Sequence, residues 1–293
     1  MATRTKDVLR LEADGSSAGI ALLGAEPVWW RVGKRELIWT GDPAHWARHA
    51  PILFPVVGAS AGGSVRVGPQ SYPMPQHGFA RDSLFTVVEQ DETSARLRLI
   101  ESDDTWKHYP FRFILEVGVA LGRDSLTLAF EVTNTDTSDM PYAVGFHPAF
   151  PWPFDADDRV DHAVEFEHNE NPEVAGITND GLLREGGRRL PLDGNRLPLD
   201  PEMFTEALIF LDAKSRSMHF RSPSGASIEL EAGDFPHLAL WTKPDAPFLS
   251  MEAWTGHADP EGYAGDLFER PSMRVLHSGH AARHVLTLRW HPA

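Results

Sequence analysis

The sequence predicts an all-β protein, a sandwich of antiparallel sheets carrying few short helices, and three observations predict it. Apolar and polar residues alternate with period two over long stretches, Gly, Pro, Asn and Asp clusters separate those stretches, and helical periodicity is scarce. An alternating run places one face in a core and the other in water, which is how a half-buried strand is written.

Taken along the chain, GDPAHWARHA (41–50) reads as a short helix, with Asp42 as its cap and Pro43 at its first position. RLRLIE (96–101) alternates as a strand. FRFILEVGVAL (111–121) is the clearest case, with Phe111, Phe113, Leu115, Val117, Val119 and Leu121 on one face. After the turn-prone GRDS, LTLAFEV (126–132) repeats the pattern through Leu126, Leu128, Phe130 and Val132, so the two runs form an antiparallel hairpin. Residues 155–200 are rich in charge, Gly and Pro, and EGGRRLPLDGNRLPLD reads as long connections between short strands. MHFRSPSGASIELEA folds back on its Pro-Ser-Gly turn, AGDLFER supplies one more helical turn, and HVLTLRW is a terminal strand. No fixed-period repeat, low-complexity tract or linker interrupts this, so residues 1–293 are expected to form one domain.

A hydrophobic share of 42% with nine tryptophans supplies a sizeable core, which argues against disorder. The formal charge of −15, without any Lys/Arg run, excludes nucleic acid and anionic membranes as partners and favours a small, neutral or weakly charged molecule. The chain has no cysteine, which excludes disulfides and thiolate chemistry and fits a reducing cytoplasm. Residues 1–20 mix charges where a secretory signal needs an apolar run, and no stretch approaches the roughly 18 apolar residues that span a bilayer. A cytoplasmic location is expected. Nothing in the sequence signals an oligomeric state.

Three segments carry candidate chemistry. In PMPQHGFARDS (73–83), two prolines stiffen the approach to His77, Gly78 and Arg81; such a loop aims polar groups, although a His in a turn also caps backbone and an Arg also serves surface ion pairs. In YAVGFHPAFPWPF (142–154), His147 lies among aromatics ahead of a proline. Desolvation there tunes an imidazole for proton transfer, or leaves a buried His bonded to a carbonyl. In LALWTKPDAPFLSMEAWTGHAD (238–259), Glu252 follows an apolar strand, where a carboxylate is costly unless partnered: a base, or half of a structural ion pair. Trp241 and Trp254 offer faces for the C–H side of a pyranose, or belong to the core. Walker-type phosphate loops, G-x-S-x-G elbows and H-E-x-x-H pairs are absent, and the fourteen histidines are scattered without a compact ligand pattern, so the sequence names no metal ligands and leaves a structural metal open.

Read in order, APILFPVVG, PMPQHGFAR, GFHPAF, ALIF, LALW and PFLSMEAW resemble the aldose 1-epimerase (galactose mutarotase-like) family, in particular its LacX-like branch, from about Trp39 to Leu288. The resemblance implies a β-supersandwich and a cofactor-free isomerase acting on an aldohexose or a derivative of one. His147 would protonate the ring oxygen and Glu252 would take the proton of the anomeric hydroxyl, so that the ring opens, the C1–C2 bond rotates and reclosure gives the other anomer. Ring opening needs such an acid and base together, expected on opposite sides of the hemiacetal. By the same resemblance His77 and Arg81 would bind sugar hydroxyls. Glu206, in TEALIF, stands where the family usually has aspartate, and GASAGGS follows FPVVG where relatives often carry arginine. A non-catalytic carbohydrate binder or sensor, a hexose-6-phosphate 1-epimerase, and a hydrolase or lyase on the same sandwich are the alternatives.

Overall fold

The structure is a computed structural model that describes residues 7–293. The first six residues of the stretch read for a secretory signal lie outside it. Among the described residues no helix is long and apolar enough to cross a membrane.

Every strand pairing is antiparallel. A nine-stranded sheet has the hairpin Phe113–Leu121 and Ser125–Asn134 near its middle, in the register Leu121 opposite Leu126 and Phe113 opposite Asn134. Its inward residues Leu115, Val117, Leu128, Phe130 and Val132 are fully buried, as the alternation requires. Phe111 is buried as well, although the strand begins only at Phe113. The terminal strand Ala281–His291 lies between Ser125–Asn134 and Ser227–Glu231.

An eight-stranded sheet covers this one and carries the strands His237–Trp241 and Phe248–Trp254 at its centre. Phe130 and Phe146, one from each sheet, meet with ring centroids 6.4 Å apart. Leu249, Met251 and Ala253 join the same apolar cluster as Leu115 and Val117. Both sheets therefore share one core, the arrangement that makes a sandwich. A four-stranded sheet from Val8 to Glu36 and two two-stranded ribbons complete the fold.

The structure departs from the sequence reading in three places. Residues 41–50 form one turn instead of a helix. Asp42 does cap it, its side chain accepting from the Ala44 N–H at 2.9 Å and its carbonyl from His45 and Trp46. The Trp46 carbonyl, however, accepts from the Trp39 indole at 2.9 Å and the Trp46 ring packs on His147, so tertiary contacts end the turn. A helical turn at Asp103–Trp106, closed by a Ser102/Thr105 capping box, was not anticipated. Residues 155–200 contain the expected short strands, four of them, but the connection read in EGGRRLPLDGNRLPLD is itself part strand: three of its residues form Arg196–Pro198, and its first five end the strand Leu183–Arg189. Gly187 allows that pairing, because a Cβ there would sit 1.8 Å from the Val174 carbonyl oxygen. The turn read in AGDLFER is present at Leu267–Glu269, capped by Asp266.

Candidate active site

The strand Phe248–Trp254 is buried throughout, and its period of two separates two jobs. Leu249, Met251 and Ala253 enter the shared core. Ser250, Glu252 and Trp254 share the other face, which fronts a cavity of about 680 Å³ lined by Glu252 and Trp254. Neighbouring registers leave room there: Ala239 stands opposite Glu252, and Gly145 opposite Trp254, where a Cβ would come within 2.9 Å of the indole.

His147 sits between two short strands, Gly145–Phe146 and Ala149–Pro151, which both pair with Phe248–Trp254. Its backbone N–H donates to Pro51 at 3.1 Å, and the Met251 N–H reaches Pro148 at 3.2 Å. That pairing brings the imidazole beside the carboxylate, His147 Nε2 lying 3.2 Å from Glu252 Oε1. The Ser250 hydroxyl donates to the Pro148 carbonyl at 2.8 Å and lies 2.8 Å from His147 Nδ1. With its one proton committed to a carbonyl, Ser250 accepts from Nδ1–H, and the free lone pair of the neutral ring is placed on Nε2, toward Glu252. The other oxygen of Glu252 accepts from the Trp254 indole N–H at 3.0 Å.

Burial dominates the electrostatics. It lowers the His147 pKa to about 3, helped by Arg81 and Arg48. It raises that of Glu252 well above the ordinary carboxylate value, against the Trp254 hydrogen bond. Both shifts disfavour charge and so favour a neutral pair, with the proton shared between Nε2 and the carboxylate resting on Glu252.

Four other candidates line the same cavity. His77 takes the left-handed conformation, φ 67°, and its Nδ1 accepts from the Gly58 N–H at 3.1 Å, so Nε2 carries the remaining proton. Burial and Arg81 keep this ring neutral. Its centroid is 5.9 Å from that of His147. Arg81 donates to the Gln76 carbonyl at 2.7 Å, while its Nε is buried without a hydrogen-bond partner. Glu206 accepts from the Ile177 N–H at 2.8 Å and holds Arg184 at 3.2 Å. Trp241 stands edge-on to His147, centroids 5.4 Å apart.

The sequence-derived residues therefore converge on one cavity, with two changes. His147 and Glu252 touch instead of flanking a space wide enough for a sugar ring. Trp254 lines the cavity but is nearly buried beside Leu53, Val57 and Ile209, and its indole N–H holds the carboxylate. The sequence reading missed another ring of this cavity: Trp46 lies against His147 with centroids 5.0 Å apart and planes 30° apart. Its signal was hidden in a segment with a helix cap. Ser250, Arg184 and Lys243 were also missed, and Ser250 could have been found from the period-two spacing with Glu252.

Comparison with known proteins agrees with this architecture. The sequence profile of the family described as aldose 1-epimerase matches residues 7–268. The chromosomal protein LacX of Lactococcus lactis subsp. lactis is 34% identical over 233 residues, covering 75% of this chain and 78% of that protein. A crystal structure of a galactose mutarotase-like protein from Lactobacillus casei superposes with a TM-score of 0.91 at 33% identity, covering 97% of this chain and all of the other. A galactose mutarotase related enzyme from Lactobacillus acidophilus gives 0.88 at 26% identity, with 97% of each chain covered. The chain belongs to the aldose 1-epimerase family, in its LacX-like branch.

Proposed function

We propose that this protein is an aldose 1-epimerase that interconverts the α and β anomers of a free aldose. The observation that carries this reading is the 3.2 Å contact between His147 Nε2 and Glu252 Oε1 inside a sugar-sized cavity. The ring oxygen and the anomeric hydroxyl of a hemiacetal share one carbon, so the acid and base that serve them must be neighbours. In this reading the sugar lies over the pair, not between its members.

The resting proton on Glu252 crosses to His147 when substrate enters, because the anomeric O–H then donates to the carboxylate and the ring oxygen accepts from Nε2–H. The transfer leaves the net charge of the pair unchanged, which limits its cost in a dry site. Proton release from Nε2 to the ring oxygen, with loss of the anomeric proton to Glu252, opens the ring. After rotation about C1–C2 the same two transfers run backwards and close it on the other face. His77 Nε2–H and Arg81 are proposed donors to sugar hydroxyls, Glu206 an acceptor, and Trp46 and Trp241 the apolar walls.

The test is anomeric equilibration of freshly dissolved α-glucose and α-galactose, followed by polarimetry, with wild type and Glu252→Gln. Catalysis by the wild type and a loss of about a hundred- to ten-thousand-fold in the variant are expected. Sugar binding without acceleration would instead identify a carbohydrate binder. A second reading, a phosphorylated hexose, rests on Lys243, which joins Arg81 at the cavity. The same assay with glucose 6-phosphate decides between the substrates by the ratio of kcat/KM.

A further inference from the structure

We propose that His219, Glu229 and His291 form a binding site for a divalent transition metal of the zinc class, on the face of the nine-stranded sheet turned away from the core. The three residues come from three adjacent strands, Ser217–Arg221, Ser227–Glu231 and Ala281–His291. None lines the sugar cavity.

Sheet register brings them together. His219 stands directly opposite Glu229. His291 stands opposite Ser227, two residues from Glu229 on the same face, within reach as a diagonal neighbour. One ligand atom from each lies within 4.8 Å of the other two. Glu229 reaches both rings, with Oε1 3.6 Å from His219 Nε2 and Oε2 2.8 Å from His291 Nε2. Ligands about 2.0–2.2 Å from a tetrahedral zinc ion lie roughly 3.3–3.6 Å from one another, so small rotamer adjustments close the set.

Two imidazoles and one carboxylate are the donors that suit zinc and its neighbours, while magnesium and calcium prefer oxygen. The surroundings fit a cation. The Ser227 hydroxyl lies 3.5 Å from His219 Nδ1, placed to hold that ring with Nε2 toward the metal. The nearby cationic side chains are committed elsewhere: Arg221 and Arg196 bond to Glu165, and Arg289 bonds to Glu231 at 3.1 Å. His291 is nearly half exposed, which leaves one side open for a fourth ligand from solvent.

A metal here would tie the terminal strand to the two strands that follow one another beside it. The protein, without an affinity tag and dialysed against chelator, is titrated with zinc chloride by calorimetry and with cobalt chloride by visible absorption. Uptake of one equivalent is expected, with at least tenfold weaker binding in both His219→Ala and His291→Ala. Melting of each variant in chelator, matched to wild type, establishes that it folds; His291, near the end of its strand, serves if His219→Ala does not. Absence of saturable zinc binding in wild type overturns the proposal, as does binding that survives unchanged in the folded variant.

Discussion

At Glu252, burial and chemistry pull in opposite directions. Its folded pKa is raised above the unfolded value, so the folded protein keeps a proton that the unfolded chain has released above 4.5. The sign follows from linkage: stability falls as pH rises from 4.5 toward the folded pKa, and at neutral pH Glu252 is a net liability. Glutamine removes that liability and keeps both contacts, its carbonyl accepting from Trp254 and its amide donating to His147 Nε2. Glu252→Gln should thus melt at a higher temperature than wild type at neutral pH, with the gap closing as pH approaches 4.5, while mutarotation collapses. A calorimetric melt series against pH checks this; a variant less stable than wild type at neutral pH would contradict a protonated Glu252.

In the proposed reaction the same pair sets the pH dependence of the rate. An unperturbed Glu and His would hold one proton between them only from 4.5 to 6.5. Here the second proton is gained only near His147's value of about 3, and the last is lost only at the raised Glu252 value. The kcat/KM profile should therefore stay flat below 4.5, down toward the His147 value of about 3, with its alkaline limb set by Glu252 and displaced above 4.5. A rate that falls as pH drops through 6.5 would mean that His147 titrates as an ordinary surface imidazole.

At the scale of elements, strand pairing makes the site, and two positions test it. Ser250→Ala removes the acceptor of His147 Nδ1–H, leaving a buried donor unpaired at about 1–3 kcal/mol and freeing the ring to take the other tautomer. Because 1.36 kcal/mol is tenfold in rate, kcat should drop by about tenfold or more with KM little changed. Parallel losses in binding would instead give Ser250 a structural role. Gly58 has φ +74°, and a Cβ there would meet Ala258 at 2.5 Å. Its N–H and carbonyl both bond to His77, so Gly58→Ala disturbs the turn and the His77 ring together. A fall in Tm of at least about 2 °C and a raised KM are expected.

Elements were also where the sequence spoke most clearly. Alternation alone places Leu115, Val117, Leu128 and Phe130 in the core, because a strand with one dry face leaves no other reading. Trp46 shows the opposite case. Its local sequence carries a true cap, and contacts outside the segment, with the Trp39 indole and with His147 about a hundred residues away, decide that the turn goes no further. The family motifs named His147 and Glu252, but not Ser250 on the far side of the imidazole from Glu252, since its role depends on which face of a fully buried strand it occupies. The His219, Glu229 and His291 cluster is equally silent in sequence, for it exists only through the order of strands in a sheet.

The whole molecule depends on contacts between distant parts of the chain, and the Arg270–Asp259 pair concentrates several. Both side chains are almost fully buried, with Arg270 Nε 2.8 Å from Asp259 Oδ1. Asp259 also accepts from the Ala61 N–H at 2.8 Å. Arg270 donates to the carbonyls of Val57, Ala59 and His257 and to the Ser60 hydroxyl. This clamp fixes residues 57–61, and with them Gly58 and the His77 tautomer, against the chain leaving the strand of Glu252. Removing one charge strands the other: Asp259→Ala should lose about 3–5 kcal/mol, read from the shift in denaturant midpoint. Replacing both by apolar residues often restores stability in a buried pair, but here it would leave the Val57 and His257 carbonyls and the Ala61 N–H without their partners. The double variant Asp259→Leu/Arg270→Met is therefore expected to stay well below wild type. Recovery of wild-type stability in it would mean that the loop is held by packing alone.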